Sequence, residues 1–189
     1  MKDYQVSVLV GSLRKYSYAR QIARNAIAML PPNVEGSIVE IGHLPLYNFD
    51  YDDPEMTEFS VPTSYTSFRE TIKNSDGILF VTPENNRTIP ACLKNAIDIG
   101  SKPNSDVAWK NKPCAIISHS VGRMGGYSSQ KNLRLALSYF DMRMLGQPEV
   151  FLPQSPTLLG EDGRFNQEST EQFVRKHVGR FAQLIQEDK

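Results

Sequence analysis

Ser12, Arg14 and Ser17 crowd into one corner of the chain, GSLRKYSYAR at 11–20. The corner follows an apolar run, YQVSVLV (4–10). It precedes Ala19, Ile22, Ala23, Ala26, Ile27 and Leu30, which recur at helical spacing. A strand that turns straight into a helix leaves the first helical N–H groups without acceptors. Together with the helix dipole, these groups attract an anion. Ser12 and Ser17 add hydroxyl donors and Arg14 adds a charge-assisted one. The set suits one terminal phosphate. Ser17 also stands where the helix begins, so capping is the competing role for it. The corner matches neither GxGxxG nor GxxxxGK[ST], which excludes a dinucleotide fingerprint and a P-loop.

Two further loops carry unusual chemistry. In TPENNRTIP (82–90), Pro83 and Pro90 stiffen both ends. Asn85, Asn86 and Thr88 offer groups that could read the edge of a planar heterocycle. Thr88 is expected to cap the next helix, with Pro90 in its first turn. Glu84 has no second carboxylate to work with, so an orienting role is expected. The plainer alternative is a capped turn with solvated asparagines. In SHSVGRMGG (118–126), Gly122, Gly125 and Gly126 would let backbone approach a flat ligand closely. Arg123 suits a second, phosphate-bearing substrate. The alternative here is a flexible connection.

The elements that must position these loops alternate along the chain. Strands are expected at 4–10, 34–41, 77–83, within 112–120 and at 148–153. Helices are expected around Tyr65, Phe68 and Ile72, ending near Asn74. Ile89, Leu93, Ala96 and Ile97 mark the next. Leu133, Ala136, Leu137 and Phe140 mark another, and Phe173, Val174, Val178, Phe181 and Ile185 mark the last. Strands this apolar are covered on both faces, which implies a parallel sheet. With right-handed crossovers, five β–α units give an α/β doubly wound three-layer sandwich, sheet order 2-1-3-4-5, as one domain over 1–189. Ligands then bind beyond the carboxyl ends of the strands, where the loops after strands one, three and four meet.

Composition narrows the function. The 189 residues carry 21 Lys plus Arg and 21 Asp plus Glu, a balance that argues against capture of nucleic acid or of an anionic membrane. Cys92 and Cys114 form no CxxC and read as buried free thiols. His43, His119 and His177 show no metal-ligand spacing, so no metal site is expected. The N-terminal apolar run is too short for a signal peptide, and no stretch approaches the roughly 20 apolar residues of a membrane span. A cytoplasmic location is expected.

The three loops resemble those of the NADPH-dependent FMN reductase family, a flavodoxin-like group that includes azobenzene, quinone and chromate reductases. GSLRKYSYAR is similar to that family's GSxRxxSxxR phosphate loop. TPENNRTIPACLKNAID resembles its TPEYNxSxPxxLKNAID signature, and SVGRMGGYSSQKNLR its SPGxxGGxxxQxxLR loop. The resemblance covers nearly the whole chain and implies bound FMN, with NADPH or NADH as co-substrate. It assigns Ser12, Arg14, Ser17, Tyr18 and Ala19 to the phosphate end. It assigns Pro83, Glu84, Asn85, Asn86 and Thr88 to the ring, and Ser120, Gly122, Gly125 and Gly126 to the ring's other edge. Asn85 replaces the family's tyrosine, Ala19 a frequent asparagine and Val121 the usual proline.

The expected activity is hydride transfer from a nicotinamide to FMN and then reduction of a quinone, azo compound, free flavin or metal oxyanion. The cofactor carries the redox chemistry, so no catalytic dyad is needed. Substrate choice is expected to lie in the loop 42–62 and in Arg87 and Arg123. The resemblance further implies a homodimer or homotetramer. A flavodoxin-type carrier and a flavin-free interaction protein on the same scaffold are the competing readings.

Overall fold

The computed structural model describes residues 4–187. β1 (Tyr4–Val10) continues through the corner into α1 (Tyr18–Ala28), followed by β2 (Val34–Val39). A long loop with a 3-10 turn at Phe49–Tyr51 leads to α2 (Thr63–Lys73) and β3 (Gly77–Pro83). Next come α3 (Ala91–Gly100), β4 (Pro113–His119) and α4 (Tyr127–Ser138). The chain closes with β5 (Arg143–Met144), β6 (Val150–Leu152), the short α5 (Ser155–Leu158) and α6 (Glu168–Gln186).

The sheet is parallel and runs β2-β1-β3-β4-β5, with β6 also paired to β4. Val8 stands opposite Ile38 on one side and Leu79 on the other. Alternation along each strand divides the core in two. Val6, Val8, Val10, Leu79, Val81, Ala115 and Ile117 pack with α1 and α6, around Ile22, Ala26, Val178 and Phe181. Leu9, Ile78, Phe80, Cys114 and Ile116 pack with α2, α3 and α4, around Phe68, Leu93, Leu133 and Trp109. Each fully buried side chain of this size contributes about 1.5–3 kcal/mol. A sheet covered on both faces leaves its strand ends as the available binding edge.

Two expectations about elements are corrected. The fifth sheet position holds two short strands rather than one segment at 148–153. β5 pairs beside Pro113 and Cys114, and β6 beside Ile117 to His119. Residues 145–149 run between them, held by Arg134, whose Nη2 donates to Leu145 O at 3.1 Å and whose Nε lies 3.1 Å from Glu149 Oε1. Second, α3 is capped by Pro90 and not by Thr88. A residue before proline is pushed towards extended backbone, so Ile89 stops the helix from starting earlier. Thr88 instead pairs with Asn85 through two backbone bonds of 3.0 Å, closing a tight turn with Asn86 and Arg87 at φ 49° and 67°.

The long loop after β2 is pinned by its neighbours. Arg69, buried on α2, donates to both carboxylate oxygens of Asp52, at 2.9 and 2.6 Å, and through Nε to Ile99 O at 2.8 Å. Asn95 on α3 accepts from Tyr47 N at 2.7 Å and donates to Pro45 O at 2.9 Å. Tyr65 Oη donates to Leu46 O at 2.8 Å, and its ring meets those of Tyr47 and Tyr51.

Candidate functional site

A cleft of about 700 Å³ opens at the carboxyl ends of β1, β3 and β4. The corner supplies Gly11, Ser12, Leu13, Arg14, Ser17 and Tyr18 to its wall. The loop after β3 supplies Pro83, Glu84, Asn85 and Pro90, and α3 adds Ala91 and Cys92. His119, Ser120 and Val121 close the side at β4.

The corner's polar groups divide between fold and cleft. Ser17 Oγ accepts from Arg20 N at 3.1 Å, which makes it the N-cap of α1. Its O–H remains available to donate, so the cap and ligand roles are compatible. Arg20 is tied to Glu40 by two bonds of 2.6 and 2.8 Å, and these bonds hold the Glu40 carboxyl below its usual range. Arg14 has no ion-pair or side-chain partner among the described residues, and neither does the Ser12 hydroxyl. Tyr18 and Ala19 N–H lie in the first turn, where no helical acceptor exists. Free donors converging at a helix start suit a phosphate.

Glu84 orients rather than reacts. Its Oε2 accepts from Ser128 N at 3.0 Å and Ser129 N at 3.4 Å, placing a carboxylate at the positive end of α4. Ser129 Oγ donates to Pro83 O at 2.9 Å, which fastens the end of β3 to the same helix. These bonds fix the backbone on which Pro83 and Asn85 face the cleft. Asn86 and Thr88 sit on the exposed turn, outside the lining set.

The glycines' close approaches in this structure are to the chain itself. Gly125 and Gly126 adopt φ 62° and 80°, and a Cβ at Gly126 would fall 2.8 Å from His119 O. A Cβ on Gly125 would lie 2.9 Å from the Phe151 carbonyl carbon. The close approach is therefore to the protein's own β4 and β6, not to the cleft. Gly122 is exposed and also outside the lining. Ala19 is fully buried against the sheet and contributes no wall. Residues 42–62, Arg87 and Arg123 lie outside the lining of the cleft in the single chain.

Of the lining residues that escaped the sequence reading, Cys92 and His119 carry titratable groups. Cys92, taken for a buried thiol, is half-buried on the cleft wall, while Cys114 is enclosed and burial pushes its thiol up to about 12. His119 ends β4 beside Pro83 of β3 and is 4 % exposed. Its Nδ1 is 2.7 Å from Ser155 Oγ and its Nε2 is buried without a partner. Burial holds its pKa down at about 4. A single histidine at the end of an apolar strand reads as core. Only the fold shows that this strand end is also the cleft floor. Among the described residues, no cluster of three His, Cys, Asp or Glu could hold a metal, and no helix is long and apolar enough to cross a membrane.

The sequence model for NADPH-dependent FMN reductase matches residues 4–157. A quinone reductase from Pseudomonas putida is 42 % identical over 96 % of this chain and 95 % of its own length. A 2-hydroxy-1,4-benzoquinone reductase from a Burkholderia species is 34 % identical over 97 % of both chains. Among solved structures, FerB, a flavoenzyme NAD(P)H:(acceptor) oxidoreductase from Paracoccus denitrificans, superposes with a TM-score of 0.86 at 32 % identity, covering 97 % of this chain and 98 % of that one.

Proposed function

Because this chain belongs to the NADPH-dependent FMN reductase family, and so to the FMN-using, NAD(P)H-dependent oxidoreductases, we propose that it reduces quinones from the cleft at the ends of β1, β3 and β4. The observation that carries this reading is the unpartnered Arg14 beside Ser12 and the Ser17 cap, at one end of a cleft whose other walls come from residues 83–85, 90–92 and 119–121.

The donor set fits FMN. Ser12, Arg14, Ser17 and the first turn of α1, at Tyr18, hold the phosphate. Pro83, Glu84 and Asn85 on one side, and Ser120 on the other, flank the ring. When bound, FMN supplies the two-electron exchange between nicotinamide and acceptor. The protein's part is to bind, orient and shelter. Glu84 and Ser129 keep the 83–85 backbone rigid. Leu13 and Val121, exposed at 58 % and 70 %, give the cleft edge an apolar surface for a flat acceptor. The P. putida and Burkholderia relatives, named for quinone substrates, support quinones over azo compounds or metal oxyanions. We further place the chain in the cytoplasm as one domain over 1–189 that forms a homodimer or homotetramer. Leu46, Phe49, Met56 and Phe59, all exposed on the long loop, are available for the subunit contact.

The test is an absorbance spectrum of the purified protein, followed by NADPH oxidation with and without a quinone. Bound-flavin peaks and quinone-dependent turnover are expected. A flavin-loaded protein that oxidises almost no NADPH would instead be a carrier.

A further inference from the structure

His119 carries a hydrogen-bonding capacity that the fold does not use. Ser155 Oγ donates to Ser120 O at 2.8 Å and lies 2.7 Å from His119 Nδ1, an arrangement in which it accepts from the ring. In that arrangement Nδ1 carries the proton, and Nε2 presents a lone pair. No donor among the described residues reaches Nε2, although the atom is shut off from solvent. A buried acceptor left without a donor is rare and destabilising, and sites of this kind collect where function requires them.

The surroundings show where a donor could come from. Tyr18 packs edge-on against the imidazole, with centroids 6.5 Å apart, and itself lines the cleft. The Gly126 backbone packs against the His119 main chain, not against the ring. Besides Tyr18, the titratable groups on the cleft wall are Arg14, Glu84 and Cys92. Glu84 Oε2 is engaged at α4. No carboxylate is bonded to the ring to draw a second proton onto it, and burial lowers its pKa to about 4, so the imidazole is neutral when the enzyme works.

We propose that His119 is a cofactor-binding residue: with a shift of the Tyr18 ring that packs against it, its Nε2 accepts a hydrogen bond from an N–H or O–H of the flavin in the cleft, and Ser155 is the positioning residue that aims it. This rests on the FMN reading above. Two donors share the required chemistry, a ribityl hydroxyl and the imide N–H of the ring.

The test titrates flavin-stripped protein with FMN by fluorescence quenching and follows the melting temperature of the apoprotein. His119→Asn keeps an amide where Nδ1 stood, and so keeps the Ser155 bond, but removes the acceptor at Nε2. His119→Gln places an amide oxygen near Nε2. FMN binding about tenfold weaker for H119N is expected, with H119Q close to wild type and the apoprotein melting temperature of H119N little changed. Parallel titration with lumiflavin, which lacks the ribityl chain, separates the donors. A loss for lumiflavin as well places the bond on the ring, and a loss for FMN alone places it on the chain. Wild-type affinity in both variants would overturn the assignment, as would equal loss in both. Failure of the wild-type protein to bind any flavin would overturn the FMN reading itself.

Discussion

The loop after β1 and the loop after β2 leave the same end of the sheet, yet their polar groups are used in opposite ways. In the loop after β2, the strong groups are matched within the chain. Asp52 meets Arg69 through two bonds, and Asn95 and Tyr65 take up backbone from residues 45–47. In the loop after β1, the Ser12 hydroxyl and the Arg14 guanidinium have no partner among the described residues, and only Ser17 works for the fold. The difference separates a segment whose polar groups are largely matched within the chain, the buried Tyr47 Oη excepted, from one whose donors are open to a ligand. Length is a poor guide, since the longer loop has the more internal side-chain bonds and the short corner the more unpartnered donors.

Substitutions should separate the two loops. The largest effect is expected from Arg69→Ala, which leaves Asp52 buried and uncompensated. Breaking one side of such a pair costs about 3–5 kcal/mol. Its melting temperature should fall by about 10 °C, while FMN affinity of the folded protein should stay near wild type. A variant that loses flavin and keeps its melting temperature would break the comparison.

Acidification should act next, through one histidine at the cleft and one on α6. His119 and His177 are both held near pKa 4 by burial, against 6.5 for a free side chain. The folded form therefore disfavours their protonation, and the unfolded chain takes up more protons as pH falls. Their stabilisation is fully present above about pH 6.5 and is lost on descent towards 4, by up to ~3 kcal/mol each. Melting temperatures across pH 7 to 4 check this, and a flat profile would contradict it. Flavin release should precede any change in Trp109 fluorescence, because Trp109 lies in the core cluster that also takes in the pinned loop's Tyr47 and Tyr51.

Arg14→Ala should weaken FMN by about ten- to hundredfold, the effect of one charge-assisted hydrogen bond of about 1.5–3 kcal/mol. Riboflavin, which lacks the phosphate, should bind as before, and the melting temperature should hold. Equal loss for both ligands would contradict the phosphate assignment. The smallest and most selective effect belongs to Ser17. Ser17→Ala removes a cap, at about 1 kcal/mol of stability. Ser17→Asp keeps the cap but sets a negative charge beside the phosphate, so it should preserve the melting temperature and lower FMN affinity well below that for riboflavin.

What the sequence made legible follows from what kind of information each feature needs. Apolar runs such as GILFVTP and periodic sets such as Phe68 with Ile72 encode burial directly, and the sheet order followed from them. The strand–turn–helix corner with its Ser17 cap was legible because its parts are adjacent in the chain. Features that depend on contacts far apart in sequence were not. β5 is two residues long and carries no periodic signal. Gln130 and Asn95, embedded in motifs that suggest a ligand site, are buried structural clamps. Gln130 Nε2 donates to Val150 O at 2.9 Å, and Asn95 holds residues 45–47. Gly125 and Gly126 have the freedom that their type implies, but the surface they approach is another strand. His119 is the clearest case, since its free lone pair depends on Ser155, which lies 36 residues further along the chain.

The division of the fifth sheet position has a consequence for how these molecules behave at high concentration. A long, flat outer strand is a template on which a neighbouring chain can add its own backbone, the first step towards fibrils. Here that border is cut into pieces of two and three residues, too short to recruit a stranger. That border thereby gains protection from self-adhesion without a lysine or proline on β5 or β6.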